Sequence, residues 1–164
     1  MKKIVALLLC IFMIGCTAPS QLKPEPLEVP YGYTEFMADL AQHSITPTLK
    51  EKIAQPSFSP KGQVMELPKG KLQVFEYSSN DQARLEATYI SPDGYIVNNP
   101  RTGRTENNWF AEPHFYRKGR LLILYIGTDS STISTLEEIL GKEVAGAKTA
   151  QPTLKPQPEK NFVV

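Results

Sequence analysis

Leu121-Leu122-Ile123-Leu124-Tyr125-Ile126 is the stretch that decides the fold. Six consecutive apolar residues between Arg120 and Gly127 leave no polar side for solvent. A strand of this kind is central and covered on both faces. Gly127-Thr128-Asp129 follows, and Thr128 or Asp129 can cap a helix that carries Ile133, Leu136, Ile139 and Leu140 at helical spacing. Gly141 closes that helix at the left-handed position that favours glycine.

Working backwards, Arg117-Lys118-Gly119 is a turn that lets a strand around residues 109–116, interrupted at Pro113, pair with residues 120–126. Asn98-Asn99-Pro100-Arg101-Thr102-Gly103-Arg104 reads as an exposed loop, with a short strand at residues 95–97 before it. Ser91-Pro92-Asp93-Gly94 ends a helix over residues 81–89, capped by Ser79 or Asn80. Its inward face would be Ala83, Ala87 and Ile90, with Leu85 and Tyr89 beside it. Residues 63–67 and 71–77 flank Pro68-Lys69-Gly70 and predict a hairpin; Leu72, Val74 and Glu76 share one face, and Gln73, Phe75 and Tyr77 the other. Residues 44–61 read as a connector with a helical turn at residues 49–53, and residues 34–41 as a short helix capped by Thr34. The sum is an α+β fold: a small, mostly antiparallel sheet of four to five strands with two helices packed on one face.

Composition frames the rest. The chain has 164 residues, 41% hydrophobic and 21% charged, with 14 Pro and 10 Gly, which suits one domain. Seven of those prolines lie in residues 17–30 and 147–164, so the folded body is residues 31–146 between a Pro-rich spacer and a disordered Pro-rich tail. A net charge of +1 argues against a nucleic-acid partner.

The amino terminus predicts a destination. Lys2 and Lys3 precede an apolar run to Gly15, the pattern of an export signal over residues 1–15. A 12-residue helix rises about 18 Å, short of a hydrocarbon core of about 30 Å. Met13-Ile14-Gly15-Cys16 resembles the bacterial lipobox. That resemblance implies cleavage between Gly15 and Cys16 and a diacylglycerol thioether on Cys16. Cys10 would leave with the signal, and acylation would remove the one remaining thiol. Two or more acyl chains anchor a protein stably to a cell membrane. Thr17, in place of aspartate, resembles lipoproteins sent to the outer membrane where the host has one. Without Lys2 and Lys3 the chain has 16 basic and 17 acidic residues, a net of −1, so the lipid and not bulk charge would hold the membrane.

Further segments carry a second resemblance: Val74-Phe75-Glu76-Tyr77, Ser91-Pro92-Asp93-Gly94, Pro113-His114-Phe115-Tyr116-Arg117-Lys118-Gly119-Arg120 and Leu124-Tyr125-Ile126-Gly127. With Leu136-Glu137, Leu140-Gly141 and Ala145-Gly146, they look like a small family of uncharacterised bacterial lipoproteins. The resemblance covers residues 74–146, under half the chain, and implies an α+β segment on a lipid anchor. It implies no catalytic residues. The chain departs from that pattern between Gly94 and Trp109, where its loop is longer.

Chemistry is sparse by residue type. Two histidines, His43 and His114, lie far apart, and no metal or cofactor motif is read. Asp93-Gly94 suits a turn better than a cation loop, and Ser130 and Ser131 suit a helix start better than a nucleophile. Gly127-Thr128-Asp129-Ser130-Ser131 lacks the lysine and glycines of a phosphate loop, and Asp129 would repel an anion. The densest chemistry is Trp109, Phe110, His114, Phe115 and Tyr116 beside Arg117, Lys118 and Arg120. Between Arg101 and Arg120 five basic residues meet two acidic ones, an excess of +3. Either the alternate aromatics fill the core with the cations solvated, or Trp109, His114, Tyr116, Arg117 and Arg120 form a recognition surface. The chain is therefore expected to be a non-catalytic, lipid-anchored envelope protein that binds another envelope protein or an anionic envelope component. A small hydrolase of cell wall or glycans and a structural or assembly lipoprotein are the alternatives.

Overall fold

A computed structural model of the chain describes residues 30–146. Gly15, Cys16, the expected signal, all of the spacer but Pro30, and the expected tail lie outside the described residues. The elements run α1 (Tyr33–Gln42), β1 (Thr48–Ile53), β2 (Gly62–Leu67), β3 (Gly70–Glu76), α2 (Asn80–Ala87), β4 (Ile96–Asn99), β5 (Gly103–Glu106), β6 (Pro113–Lys118), β7 (Leu121–Ile126), α3 (Ser130–Leu140) and β8 (Ala145–Gly146). Six strands form an antiparallel sheet in the order β1-β2-β3-β7-β6-β8, and β4 pairs with β5 in a separate hairpin. The fold is α+β.

β7 lies inside the sheet and is buried along its whole length. Leu121, Ile123 and Tyr125 face one side with Leu72, Val74, Phe36 and Leu136; Leu122, Leu124 and Ile126 face the other with Phe75, Phe115 and Ala83. Both sides therefore need a cover. α1 and α3 supply one, with Phe36 and Leu40 a helical turn apart on α1 and Ile133, Leu136, Ile139 and Leu140 on α3. α2, the β4–β5 hairpin and Phe58 supply the other.

The expectation of two helices on one face is corrected to three helices on two faces. The doubly buried β7 demands that arrangement. Four to five strands become six plus a hairpin, because three of them carry little apolar pattern. β1 occupies residues expected to form a connector with a helical turn, and it is exposed except for Ile53. β5 is Gly-Arg-Thr-Glu, and β8 has only two residues.

Local chemistry fixes the ends. Asp129 accepts the Thr132 N–H (3.0 Å) at the start of α3, and Gly141 at its end adopts φ +88°. Ser79 accepts the Gln82 N–H (3.2 Å) at the start of α2. α1 begins one residue before the expected Thr34 cap, with the Glu35 carboxylate accepting the Gly32 N–H (2.9 Å). α2 stops at Ala87, short of residue 89. Leu85 is 54% exposed, and Glu86 takes a buried place on the helix instead.

The expected loop at residues 98–104 is the turn of the β4–β5 hairpin, and Asn99 within it is buried. Its side chain donates to the Ser57 carbonyl and to Glu86 Oε2 (both 3.1 Å), and accepts the Arg101 N–H (3.0 Å). Arg101 completes the group with an ion pair to Glu86.

Candidate functional site

The second face is covered at one end only. Phe75 and Tyr77 lie beneath α2 and Phe58; further back on β3, Gln73 is buried against Gln55 and Lys71 is exposed. Their partners across the ladder, Glu66 and Val64, extend the same open floor onto β2. The segment at residues 108–110 rises along one side and encloses a groove of about 560 Å³.

Its wall is aromatic. Trp109 is anchored: its indole N–H donates to the Gly94 carbonyl (3.0 Å) and its ring meets Phe115 edge-on at 6.4 Å. Phe110, next in the chain, also lines the groove and is 65% exposed. The Lys71 ammonium lies 5.4 Å from the Phe110 ring centre. On the floor Lys50 pairs with Glu66 (3.1 Å), and Gln55 donates to Gln73 Oε1 (2.9 Å). With Glu51 at the rim, two lysines balance two glutamates. The groove combines one exposed ring with paired charges and amide groups, a lining suited to a neutral ligand with an apolar face and polar edges.

The five residues of the expected recognition surface do not converge. Trp109 stands beside the groove, whereas His114 and Tyr116 are buried, 1% and 0% exposed, in the sheet. They alternate along β6 with Phe115, so the aromatics pack on both faces and neither ring is presented at the surface. Arg120 lies at the β6–β7 turn, where it pairs with Glu76 (2.8 Å) and its N–H donates to the Tyr31 carbonyl (2.9 Å). Lys118 is turned to α1 and α3: its ammonium lies 4.1 Å from the Tyr31 ring centre and donates to the Ile139 carbonyl (2.7 Å). Arg117 is half-buried in β6.

Phe110, Lys71, Gln73 and Glu66 were not among the expected site residues. Phe110 carries the only signal available beforehand, an aromatic directly after Trp109 in a polar segment. The floor residues alternate with core residues in β2 and β3, and only the absence of a covering helix makes them a site.

The remaining candidates resolve locally. Asp129 accepts from Lys69 Nζ (2.8 Å), Ser131 Oγ (2.5 Å) and the Thr132 N–H, so the α3 start is filled by its own carboxylate. Those hydrogen bonds, Lys69 first, hold the Asp129 carboxyl well below the usual carboxylate range. Asp93 accepts from Ser91 Oγ (2.5 Å) and the Tyr95 N–H (3.1 Å) in a turn closed by Gly94 at φ +77°. His43 is exposed at the end of α1, and among the described residues no three His, Cys, Asp or Glu side chains gather into one cluster.

Comparison with protein-family models, with curated proteins and with solved structures finds no match to this chain.

Proposed function

We propose that this chain is a non-catalytic, lipid-anchored envelope protein that holds another envelope component in the Phe110 groove. The observation that carries the reading is the exposed Phe110 ring set over a floor whose charges are balanced. A large apolar side chain left in water beside a concave polar floor contributes through burial when a ligand covers it. Balanced charge favours a ligand with little net charge of its own, so the anionic component considered from sequence is the poorer fit. Cys16 would supply the anchor, and residues 16–30 the distance from the bilayer. At roughly 3.1 Å per residue for Pro-rich extended chain, 15 residues reach about 45 Å.

The test uses the full chain and an isolated envelope fraction of the host. Phe110→Ala should cut retention about thirtyfold, the equivalent of about 2 kcal/mol for a central aromatic contact. Leu85→Ala, at another exposed apolar residue, on α2, should leave retention unchanged. Equal retention by all three proteins sinks the groove as the binding site. Cys16→Ser tests the anchor separately, through loss of a lipid-sized mass increment and of the membrane pool.

A further inference from the structure

The groove beside Phe110 is open to three classes of envelope component, a peptide, a lipid or a saccharide, and each makes a different demand on the surface that receives it. An extended peptide is held chiefly by main-chain hydrogen bonds to a free sheet edge. The floor of the groove is a sheet face, where β2 and β3 present side chains while their backbones pair with each other. The nearest edge is β1, with Lys50, Glu51 and Lys52 exposed in a row. Between Leu49 and Lys52 three steps along β1 match two along β2, a bulge in which the Lys50 carbonyl accepts from Gln63 Nε2 (2.6 Å). Charge and a bulge are devices that keep a further strand off an edge. A lipid fails for another reason: acyl chains need an apolar sleeve, and this lining carries Lys50, Glu66, Lys71 and Gln73.

A saccharide meets the lining on both of its sides. The C–H groups on one side of a pyranose make a flat apolar face that rests favourably on the electron-rich face of an aromatic ring. Phe110 offers such a ring, more than half of it open to water. Around the edge of the sugar each hydroxyl both donates and accepts, so it needs donors and acceptors close together. The groove supplies them mixed. The Lys71 ammonium lies 5.4 Å from the Phe110 ring centre, and the Asn108 amide and the Glu51 carboxylate line the same space. On the floor Gln73 is 7% exposed, and Gln55 donates to its Oε1 (2.9 Å), which fixes the amide and leaves its nitrogen to donate. Lysines and glutamates in equal number suit a ligand that has no charge.

We infer that the groove binds a neutral saccharide of the cell envelope, stacked on Phe110 with its hydroxyls on Lys71, Asn108 and Gln73. The inference rests on the groove reading under Proposed function and names the chemical class of its ligand.

Retention of the full chain by an isolated envelope fraction of the host tests it, with the fraction divided in three. One portion is digested exhaustively with proteinase K, one is extracted with chloroform and methanol, and one is left intact. Retention of the natural chain should survive both treatments to within about twofold, and Phe110→Ala should lose about thirtyfold on every portion. Phe110→Tyr keeps the ring and should stay within about threefold of the natural chain, whereas Phe110→Leu keeps apolar bulk without a π face and should lose about tenfold. Raising the salt from about 0.05 to 0.5 M should leave retention unchanged, because a neutral ligand has no charge to screen. Loss of retention after protease identifies a peptide, and loss after extraction a lipid. Either result overturns the saccharide, while dependence on Phe110 still upholds the groove. Full retention by Phe110→Leu overturns the stacking, and a steep fall with salt overturns a neutral ligand. Equal retention by Phe110→Ala and the natural chain removes the groove itself, and the saccharide with it.

Discussion

The two faces of the sheet are closed by different physics. On the first, α1 and α3 lay Phe36, Leu40, Ile133, Leu136, Ile139 and Leu140 against Leu72, Val74, Ile123 and Tyr125. The contact is apolar and continuous, so stability there scales with buried area. On the second, α2 contributes one buried apolar residue, Ala83, and one buried carboxylate, Glu86. There Phe58, Ile90 and Val97 supply apolar volume from loops and the hairpin, and a polar cluster of Glu86, Asn99 and Arg101 ties the hairpin to α2. Such a cluster is directional, holding the hairpin in one place and covering no more than its own reach. The sheet beyond it stays open, and the open part is the groove. A sealed face and a partly open one thus arise within one sheet, because the second cover of α2, Phe58 and the hairpin stops short of Lys71 and Glu66.

The largest effect that would break this comparison is on the sealed face. Leu136→Ala should destabilise the fold by about 2–5 kcal/mol in urea unfolding, the range for a fully buried leucine. Leu85→Ala, on the helix that covers the other face, should fall within about 0.5 kcal/mol of zero. A cost below about 1 kcal/mol for Leu136→Ala would mean that α3 does not seal the core. Next in size is the polar cluster. Arg101→Met strands the buried Glu86 with Asn99 and a 3.5 Å contact from Ser59, and should cost about 1–3 kcal/mol. Solvent screening keeps the value below that of a deeply buried pair, since the Arg101 side chain is 58% exposed. Adding Glu86→Gln should recover most of the loss, and strictly additive costs would show that the pair does not hold the hairpin.

Legibility followed the same division. Strands and helices whose side chains report their surroundings could be read: the unbroken apolar run of β7, the alternation in β3, and the spacing of Ile133, Leu136, Ile139 and Leu140. β1 was missed because an edge strand with Lys50, Glu51 and Lys52 exposed is specified by its backbone pairing with β2, which leaves no hydrophobic period. Glu86 was missed for a related reason. Helical spacing puts Leu85 and Glu86 on adjacent flanks, and hydrophobicity alone chooses leucine as the buried one. The choice is reversed by Asn99 and Arg101, 13 and 15 residues away in sequence. His114 and Tyr116 alternate about Phe115 as a two-sided strand requires, so the core reading of that segment was available beside the surface reading. Of the groove only the aromatic wall, Trp109 and Phe110, was legible, since its floor depends on where a cover ends.

The smallest expected effect sits at the start of α3 and sharpens the account of the sealed face. Asp129 caps that helix while pairing with Lys69, whose side chain is 72% exposed. Its folded-state pKa is depressed, so in acid the unfolded chain binds a proton that the folded chain resists. Stability from this group is complete above the unfolded value of about 3.9 and is lost as the pH falls through that value toward the folded one. Urea midpoints at pH 6 and pH 3 should therefore differ more in the natural chain than in Asp129→Asn, which keeps an acceptor for the Thr132 N–H but does not titrate. Solvent screening limits the difference, because the cap is open to water on the Lys69 side. If the two proteins lose the same stability between pH 6 and pH 3, the carboxylate charge contributes nothing to the seal. The apolar residues of α3 would then hold the first face unaided.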